Sequence, residues 1–256
     1  MKKTIDTSQA HTGRVYDYIL GGTQNFEADR QAAEAVIKLA PSVRTQAQLN
    51  RWFLQFVANR WAEEGHTQIL DLASGLPTQG HFNDHLPKAR ILFSDHDPLS
   101  VQYGQEILQD SPNMRYVLAD LRDPTELLGI ADAFFAGHRK LAIGLIGISY
   151  FLSDDELSRL AQLLHSFAAP GSVLGLSYFL SQEQDAACTA FLQTYMRMVK
   201  ASVYLRTQAQ LTELLKPWRI VEHAQVADLL HVQHLVKEED SFMKYLKATG
   251  VFAVRS

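Results

Sequence analysis

Five short apolar runs, spaced by stretches long enough to be helices, organise most of this chain. The runs cover residues 67–72, 90–94, 115–119, 140–148 and 172–179, and helical patterns fall at 78–86, 98–109, 123–136 and 153–168. Strand, helix, strand at this interval predicts repeated βαβ units and a parallel sheet, an α/β fold. The first three runs are closed by acids, Asp71, Asp95 and Asp120. An open parallel sheet binds its ligand outside the carboxyl ends of its strands, so these acids are expected on one rim. Carboxylates accept hydrogen bonds, and a purine nucleoside offers ribose hydroxyls and an exocyclic amine to them.

The rest of the chain frames that sheet. Residues 1–66 read as helix and loop, with helices over Glu27–Leu39 and 44–64. Leu49, Trp52, Phe53, Phe56, Val57, Arg60 and Trp61 repeat at helical spacing in the second, and Gly65 ends it. Ser153-Asp-Asp-Glu156 is a capping box for the helix after the fourth run. Pro170-Gly171 turns the chain into the fifth. Helices are expected at 182–200, 207–215 and 238–248, and final strands at 219–226 and 251–255, as an antiparallel pair at the sheet edge. The expected division is a helical extension or lid over 1–66 and a sheet domain over 67–256.

Bulk composition narrows the classes of partner. The 256 residues carry a net charge of −4, so a phosphate-backbone binder, which usually needs a basic face, is not expected. Cys188 is the only cysteine, which rules out an internal disulfide and a cysteine metal cluster. None of the histidines forms a zinc-type His-Glu-x-x-His pair, and no metal is expected. The start, Met-Lys-Lys-Thr-Ile-Asp, has no apolar stretch, and 141–148 is too short to span a bilayer. A cytoplasmic protein without membrane contact is expected; its oligomeric state is left open.

The turn after the first run selects among nucleotide-like ligands. A dinucleotide fold needs Gly-x-Gly-x-x-Gly there, so that the backbone can close on a pyrophosphate. This chain offers Ala73, Gly75 and Thr78, and Pro77 lacks an N–H donor. S-adenosylmethionine has no phosphate and suits a looser acid-x-Gly-x-Gly turn. Asp71, Ala73 and Gly75 then form the turn around it. Asp95 stands at the spacing expected for a ribose partner, and Asp120-Leu121 where the adenine would lie. His96, beside Asp95, and Ser149, after the fourth run, are counted with this cofactor-binding set. Asp97, just before Pro98, is the better helix cap.

The N-terminal segment carries a more specific signal. Asp6-Thr-Ser8, His11, Arg14-Val-Tyr-Asp-Tyr-Ile-Leu-Gly-Gly22, Asn25-Phe26, Ala28-Asp-Arg30, Asn50-Arg51 and Gly75-Leu-Pro-Thr78 resemble an actinobacterial-type family of S-adenosylmethionine-dependent methyltransferases, formerly a domain of unknown function. The resemblance runs from about Ile5 to Tyr178. It implies a class I methyltransferase fold: a Rossmann-like sheet, mostly parallel, of seven strands with an antiparallel edge strand, and an N-terminal helical cap. It implies no substrate. This chain departs from the family pattern in Ala-Ser-Gly at 73–75, His81-Phe-Asn83 and Tyr150, where Gly-Thr-Gly, Asn-x-His and His are common.

The expected reaction is direct methyl transfer from S-adenosylmethionine to a small-molecule acceptor. His11, Tyr16, Tyr18 and Tyr150 are the candidate catalytic, acceptor-side residues, and His81 is a further candidate base. Arg14 is assigned to the methionine carboxylate of the donor. The bland alternative makes Arg14 and Asp17 an exposed i, i+3 pair on a helix ended by Gly21-Gly22. Two rival functions are a non-catalytic binder of the donor or its product and, on weaker grounds, a nicotinamide-dependent oxidoreductase.

Overall fold

The structure, a computed structural model, describes residues 7–76, 80–181, 186–199, 201–236 and 246–256. Three helices precede the sheet: α1 (Thr12–Ile19), α2 (Glu27–Leu39) and α3 (Val43–Glu63). Then follow β1 (Gln68–Leu72), α4 (Phe82–His85), β2 (Arg90–Asp95), α5 (Pro98–Ile107), β3 (Met114–Leu118), α6 (Thr125–Phe134) and β4 (Ala142–Leu145). The rest comprises α7 (Asp154–Phe167), β5 (Val173–Leu180), α8 (Ala186–Val199), α9 (Gln208–Leu214), β6 (Arg219–Gln225), α10 (Val226–Leu229) and β7 (Lys247–Val254).

The strands form one seven-stranded sheet in the order β3-β2-β1-β4-β5-β7-β6. β1 to β5 pair in parallel, and β7 runs antiparallel to both β5 and β6. The strand order reverses between β1 and β4. Their carboxyl ends therefore border the crevice where open sheets bind ligands.

Strand alternation sorts the core into two layers. Leu70, Leu72, Leu92, Leu145 and Leu176 face α6, α7 and α9, with Leu157, Leu160, Leu164 and Trp218. Ile69, Ile91 and Phe93 face α3, α4 and α5, with Phe53, Val57, Trp61, Phe82 and Val101. Asp71 is two residues from Ile69, so it projects on this second face, at the carboxyl end. The apolar stripe of α3 lies against the middle of the sheet. Its N-terminal half, with Gln46, Asn50 and Arg51, reaches that end.

Three elements differ most from their expected bounds. The fourth run stops at Leu145 because Gly147 takes φ +80 and sends its N–H to Ser177 Oγ at 2.8 Å. The helix expected at 78–86 contracts to Phe82–His85, with 77–79 outside the described residues. Gly80 at φ +74 and a cap from the His81 ring set its start. The helix expected at 238–248 is overturned at its end, where Lys247 and Ala248 are strand; 237–245 lie outside the described residues. Pairing of β7 with the whole of β5, Leu180 to Lys247 included, outweighs the helical preference of those two residues. For α8, 182–185 and 200 likewise lie outside the described residues.

Two helical glycines make opposite predictions. A Cβ on Gly104 of α5 would sit 2.1 Å from the Tyr116 ring, whereas Gly129 of α6 has nothing within 4 Å. Gly129→Ala is expected to stabilise by about 0.5–1 kcal/mol through helix propensity, raising Tm by a few degrees. Gly104→Ala is expected to destabilise by about 1–3 kcal/mol through overpacking. Thermal melts of the two variants check this, and an equal shift in both would contradict the packing described.

Candidate functional site

The β1–α4 turn is built by paired serines and two left-handed residues. Ser74 N donates to the Ser94 carbonyl at 2.8 Å, and Ser94 Oγ donates to the Asp71 carbonyl at 3.2 Å, which ties the turn to β2. Ala73 takes φ +52 and Gly75 φ +66. A β-carbon in that region is strained, so the alanine in place of glycine at 73 costs about 1 kcal/mol that glycine would not. Tyr116, whose ring lies over Gly104, donates to the Gly75 carbonyl at 2.6 Å and holds the turn from the β3 side.

Asp95 closes the turn from β2. Its Oδ2 accepts from Gly75 N at 2.8 Å, its Oδ1 accepts from Asp97 N at 2.9 Å, and His96 Nδ1 lies 3.3 Å away. Burial alone would raise its pKa, but His96 and the two amides together hold it below the usual range. His96 is raised by the same hydrogen bond. Asp97 caps α5 through Ser100 N at 2.7 Å and also meets His11 Nε2 at 3.3 Å. Asp120 stands past the end of β3, paired with Arg122, which lowers its pKa.

Asp71 is the unusual member. It is 2% exposed, and its Oδ2 has no hydrogen-bond partner among the described residues. Gly144, its register partner on β4, makes the room: a Cβ there would lie 2.9 Å from Asp71 Oδ1 and 3.1 Å from the Phe82 ring. Burial pushes its pKa up to about 7, against the pull of Ser74 and of the Arg51 guanidinium. His81 Nε2 is 3.7 Å from Oδ2, too far for a hydrogen bond. The His81 ring serves the backbone instead. Nδ1 accepts from Phe82 N at 3.0 Å, which leaves Nε2 carrying the proton toward the Ser74 carbonyl at 3.2 Å. Burial, with Arg51 adding, drops its pKa to about 3, so the imidazole is neutral and both nitrogens are engaged.

The N-terminal helices reach this rim through buried hydrogen bonds. Asp29, fully buried, accepts from His11 N at 2.8 Å, Arg14 Nε at 2.7 Å and Phe26 N at 2.8 Å. Arg14 Nη2 also donates to the Gln9 carbonyl at 2.7 Å. Asp17 accepts from Gln24 N and Asn25 Nδ2. Arg14 and Asp17 are both buried, so the exposed i, i+3 pair does not exist. Tyr16 donates its hydroxyl to the Ala47 carbonyl at 3.1 Å and accepts from Asn50 Nδ2 at 3.3 Å. Ser177 Oγ donates to Asn50 Oδ1 at 2.7 Å and accepts from Gly147 N, so α1, α3, β5 and the β4 loop are joined in series.

The structure thus gathers Asp71, Ala73, Gly75, Asp95 and His96 at the β1–β2 rim, with His11 at its margin through Asp97. Tyr150 lies on Phe179 with ring centroids 4.4 Å apart, beside the β4 loop. Other expected residues lie elsewhere. Tyr18 points to Glu34 at 2.8 Å, on an exposed helix surface. Leu121 is in the core with α6 and α7. Ser149 is fully buried and donates to the Ser177 carbonyl at 2.7 Å, while Arg206 Nη1 donates to the Ser149 carbonyl at 2.9 Å. Tyr116 and Ser177 were not found by sequence reasoning, and Asn50-Arg51 entered it only through the family resemblance, with no role in the site. Asn50-Arg51, two polar residues inside an apolar helical stripe, was the available signal. Among the described residues no group of three His, Cys, Asp or Glu could hold a metal ion, and no helix is long and apolar enough to cross a membrane.

A seven-stranded sheet of this order, with acids ending β1 and β2 at the reversal of strand order, defines a nucleoside-binding α/β fold of the methyltransferase class. Solved structures agree. A protein of Thermobifida fusca YX assigned as a methyltransferase superposes with a TM-score of 0.84 at 28% identity, over 98% of this chain and 97% of that one. A DUF574 family protein from Streptomyces avermitilis MA-4680 gives 0.80 at 26% identity, over 99% and 100%. Geranyl diphosphate C-methyltransferase from Streptomyces coelicolor A3(2) shares the fold at 9% identity, with a TM-score of 0.56 over 97% and 89%. No curated protein matches the sequence. The S-adenosyl methyltransferase family profile matches residues 1–248, and the chain belongs to that family. It is an S-adenosylmethionine-dependent methyltransferase, with S-adenosylmethionine as the methyl donor.

The raised pKa of Asp71 has a consequence for stability. A carboxyl that holds its proton more tightly when folded favours the native state at low pH, and this advantage is lost as pH rises from about 4 through about 7. Asp71→Asn removes the buried charge while keeping the shape. It is expected to stabilise the ligand-free protein more at pH 8 than at pH 4.5, by roughly 2–4 kcal/mol. Denaturant unfolding at the two pH values measures this; a pH-independent difference would mean that Asp71 ionises normally.

Proposed function

We propose that the chain transfers the donor's methyl group directly to a small-molecule acceptor, and that the donor lies across the carboxyl ends of β1 to β3. The carrying observation is Asp71: a buried carboxyl with an unmet oxygen, at the point where the strand order reverses. A cationic group fits that oxygen, and the donor's amino-acid end carries an ammonium. Asp95, already held in its ionised form by amides and His96, is the acceptor for the ribose hydroxyls. Asp120, beyond β3, flanks the adenine. The donor supplies an activated methyl group on a sulfonium, so the protein needs no covalent intermediate.

What the chain contributes is placement and exclusion of water. The Tyr16 side chain is partly buried, its phenol is hydrogen-bonded on both sides, and burial raises its pKa, so it acts as a wall rather than a base. Tyr150, its ring tilted against Phe179 beside the β4 loop, forms the aromatic side of the acceptor space. His11, bound to Asp97 at the margin, is the imidazole placed to take a proton from an acceptor hydroxyl or amine. A small-molecule acceptor is also the kind named for a protein of the same fold, geranyl diphosphate C-methyltransferase.

Calorimetry tests the donor site. S-adenosylmethionine and S-adenosylhomocysteine are expected to bind, and NADH is not. Asp95→Ala is expected to weaken donor binding by about 1–3 kcal/mol, roughly five- to 150-fold. Donor affinity unchanged in Asp95→Ala would overturn the ribose assignment, and tight NADH binding would overturn the donor site itself.

A further inference from the structure

Arg51 sits on α3 where the helix reaches the carboxyl end of the sheet. It is 9% exposed, and its Nη1 has no hydrogen-bond partner among the described residues. A guanidinium is always charged, and a buried one without a partner is costly. Its neighbours on α3 mark this rim: a β-carbon on Gly147 of the β4 loop would lie 2.8 Å from Asn50 Nδ2, and one on Gly80, after the β1 turn, 2.0 Å from Gln55 Nε2, one helical turn beyond Arg51. From there Arg51 also shifts the ionisation of Asp71, His81 and Tyr16.

A buried guanidinium and a buried carboxyl therefore share this rim, and each has an atom without a partner among the described residues: Arg51 Nη1 and Asp71 Oδ2. They do not hydrogen-bond to each other. A pair evolved only for packing would either meet or be replaced by apolar side chains. Groups held apart can both be satisfied by a ligand that carries an anion and a cation on neighbouring atoms. An α-amino acid end has that form, a carboxylate and an ammonium on one carbon. His81 cannot substitute for either, because both of its nitrogens serve the backbone.

We infer that Arg51 receives the α-carboxylate of the donor's methionine end, beside Asp71, which receives the α-ammonium. This rests on the donor site proposed above and adds the residue that reads the amino-acid end. It moves that role from Arg14, whose Nε and Nη2 bind Asp29 and the Gln9 carbonyl. The planar fork of a guanidinium matches a carboxylate through two parallel hydrogen bonds, which an ammonium side chain cannot reproduce. The neighbouring Asn50 holds Ser177 and, through it, Gly147 of the β4 loop. One turn of α3 thereby fixes the donor's amino-acid end relative to the acceptor side.

The test compares three ligands by calorimetry on the full chain: S-adenosylmethionine, its decarboxylated analogue, and 5′-methylthioadenosine, which lacks the amino-acid end. Wild type is expected to bind S-adenosylmethionine about ten- to a hundredfold more tightly than the decarboxylated analogue. Arg51→Gln is expected to lose that preference, with the decarboxylated analogue and 5′-methylthioadenosine changed by less than about threefold. Arg51→Lys is expected to recover only part of the preference. Equal wild-type affinity for the first two ligands overturns the inference without any variant, so a misfolded Arg51→Gln leaves it testable. An undiminished preference in Arg51→Gln also overturns it while the donor site stands. Failure of wild type to bind any of the three overturns the donor site as well.

Discussion

A carboxyl group kept out of water at the reversal of strand order is the constraint around which this molecule is arranged. Asp71 faces α3 because β1 alternates, and it fits because Gly144 on the neighbouring strand has no side chain. Burial makes its charged form expensive and moves its pKa to about 7. The surrounding polar atoms do not relieve this. His81 is committed to the backbone, and Arg51 acts without touching. The unmet oxygen is what the proposed donor site uses. Natural proteins accept such local instability where function requires it.

Around this point the fold supplies rigidity through backbone hydrogen bonds rather than through loops alone. The serine pair at 74 and 94, the Asp95 carboxylate and the Tyr116 hydroxyl fix the turn from β2 and β3. Asp29 gathers His11, Arg14 and Phe26 and fixes the entry of α1 and α2. The series Tyr16, Asn50, Ser177 and Gly147 then joins α1 to the β4 loop. Arg206, just before α9, holds the same loop by donating to the carbonyls of Ser149 and Leu152. The β4 loop is in this way connected to the helices that precede the sheet.

Much of this was legible before any coordinates. The βαβ rhythm, the acids at 71 and 95, the Ser153–Glu156 capping box and the Asp97 cap all follow from local chemistry: periodicity, turn residues and side chains that bond their own backbone. Family membership was legible from the block at 14–22. What was not legible depends on which residues the fold brings together. Arg14 looked like the ligand-facing arginine because it lies in that dense polar block. Its partner, Asp29, is fifteen residues away and becomes visible only once α1 and α2 pack. Asn50-Arg51 stands out in the sequence only as part of the family resemblance, and that the pair reaches the carboxyl end of the sheet depends on how α3 packs. The ending of β4 at Leu145 depended on Gly147 and a hydroxyl from β5, and the start of β7 on pairing with the length of that strand.

With its pKa at about 7, Asp71 is largely protonated in the free protein near pH 6.5, and, on the donor site we propose, it ionises when the donor's ammonium arrives. Calorimetry in two buffers of different ionisation heat, at pH 6.5, measures the protons exchanged on binding S-adenosylmethionine. Release of about half a proton or more per donor, abolished in Asp71→Asn, is the result this account requires. Binding with no net proton exchange in the wild type, or with the same release in Asp71→Asn, would contradict it.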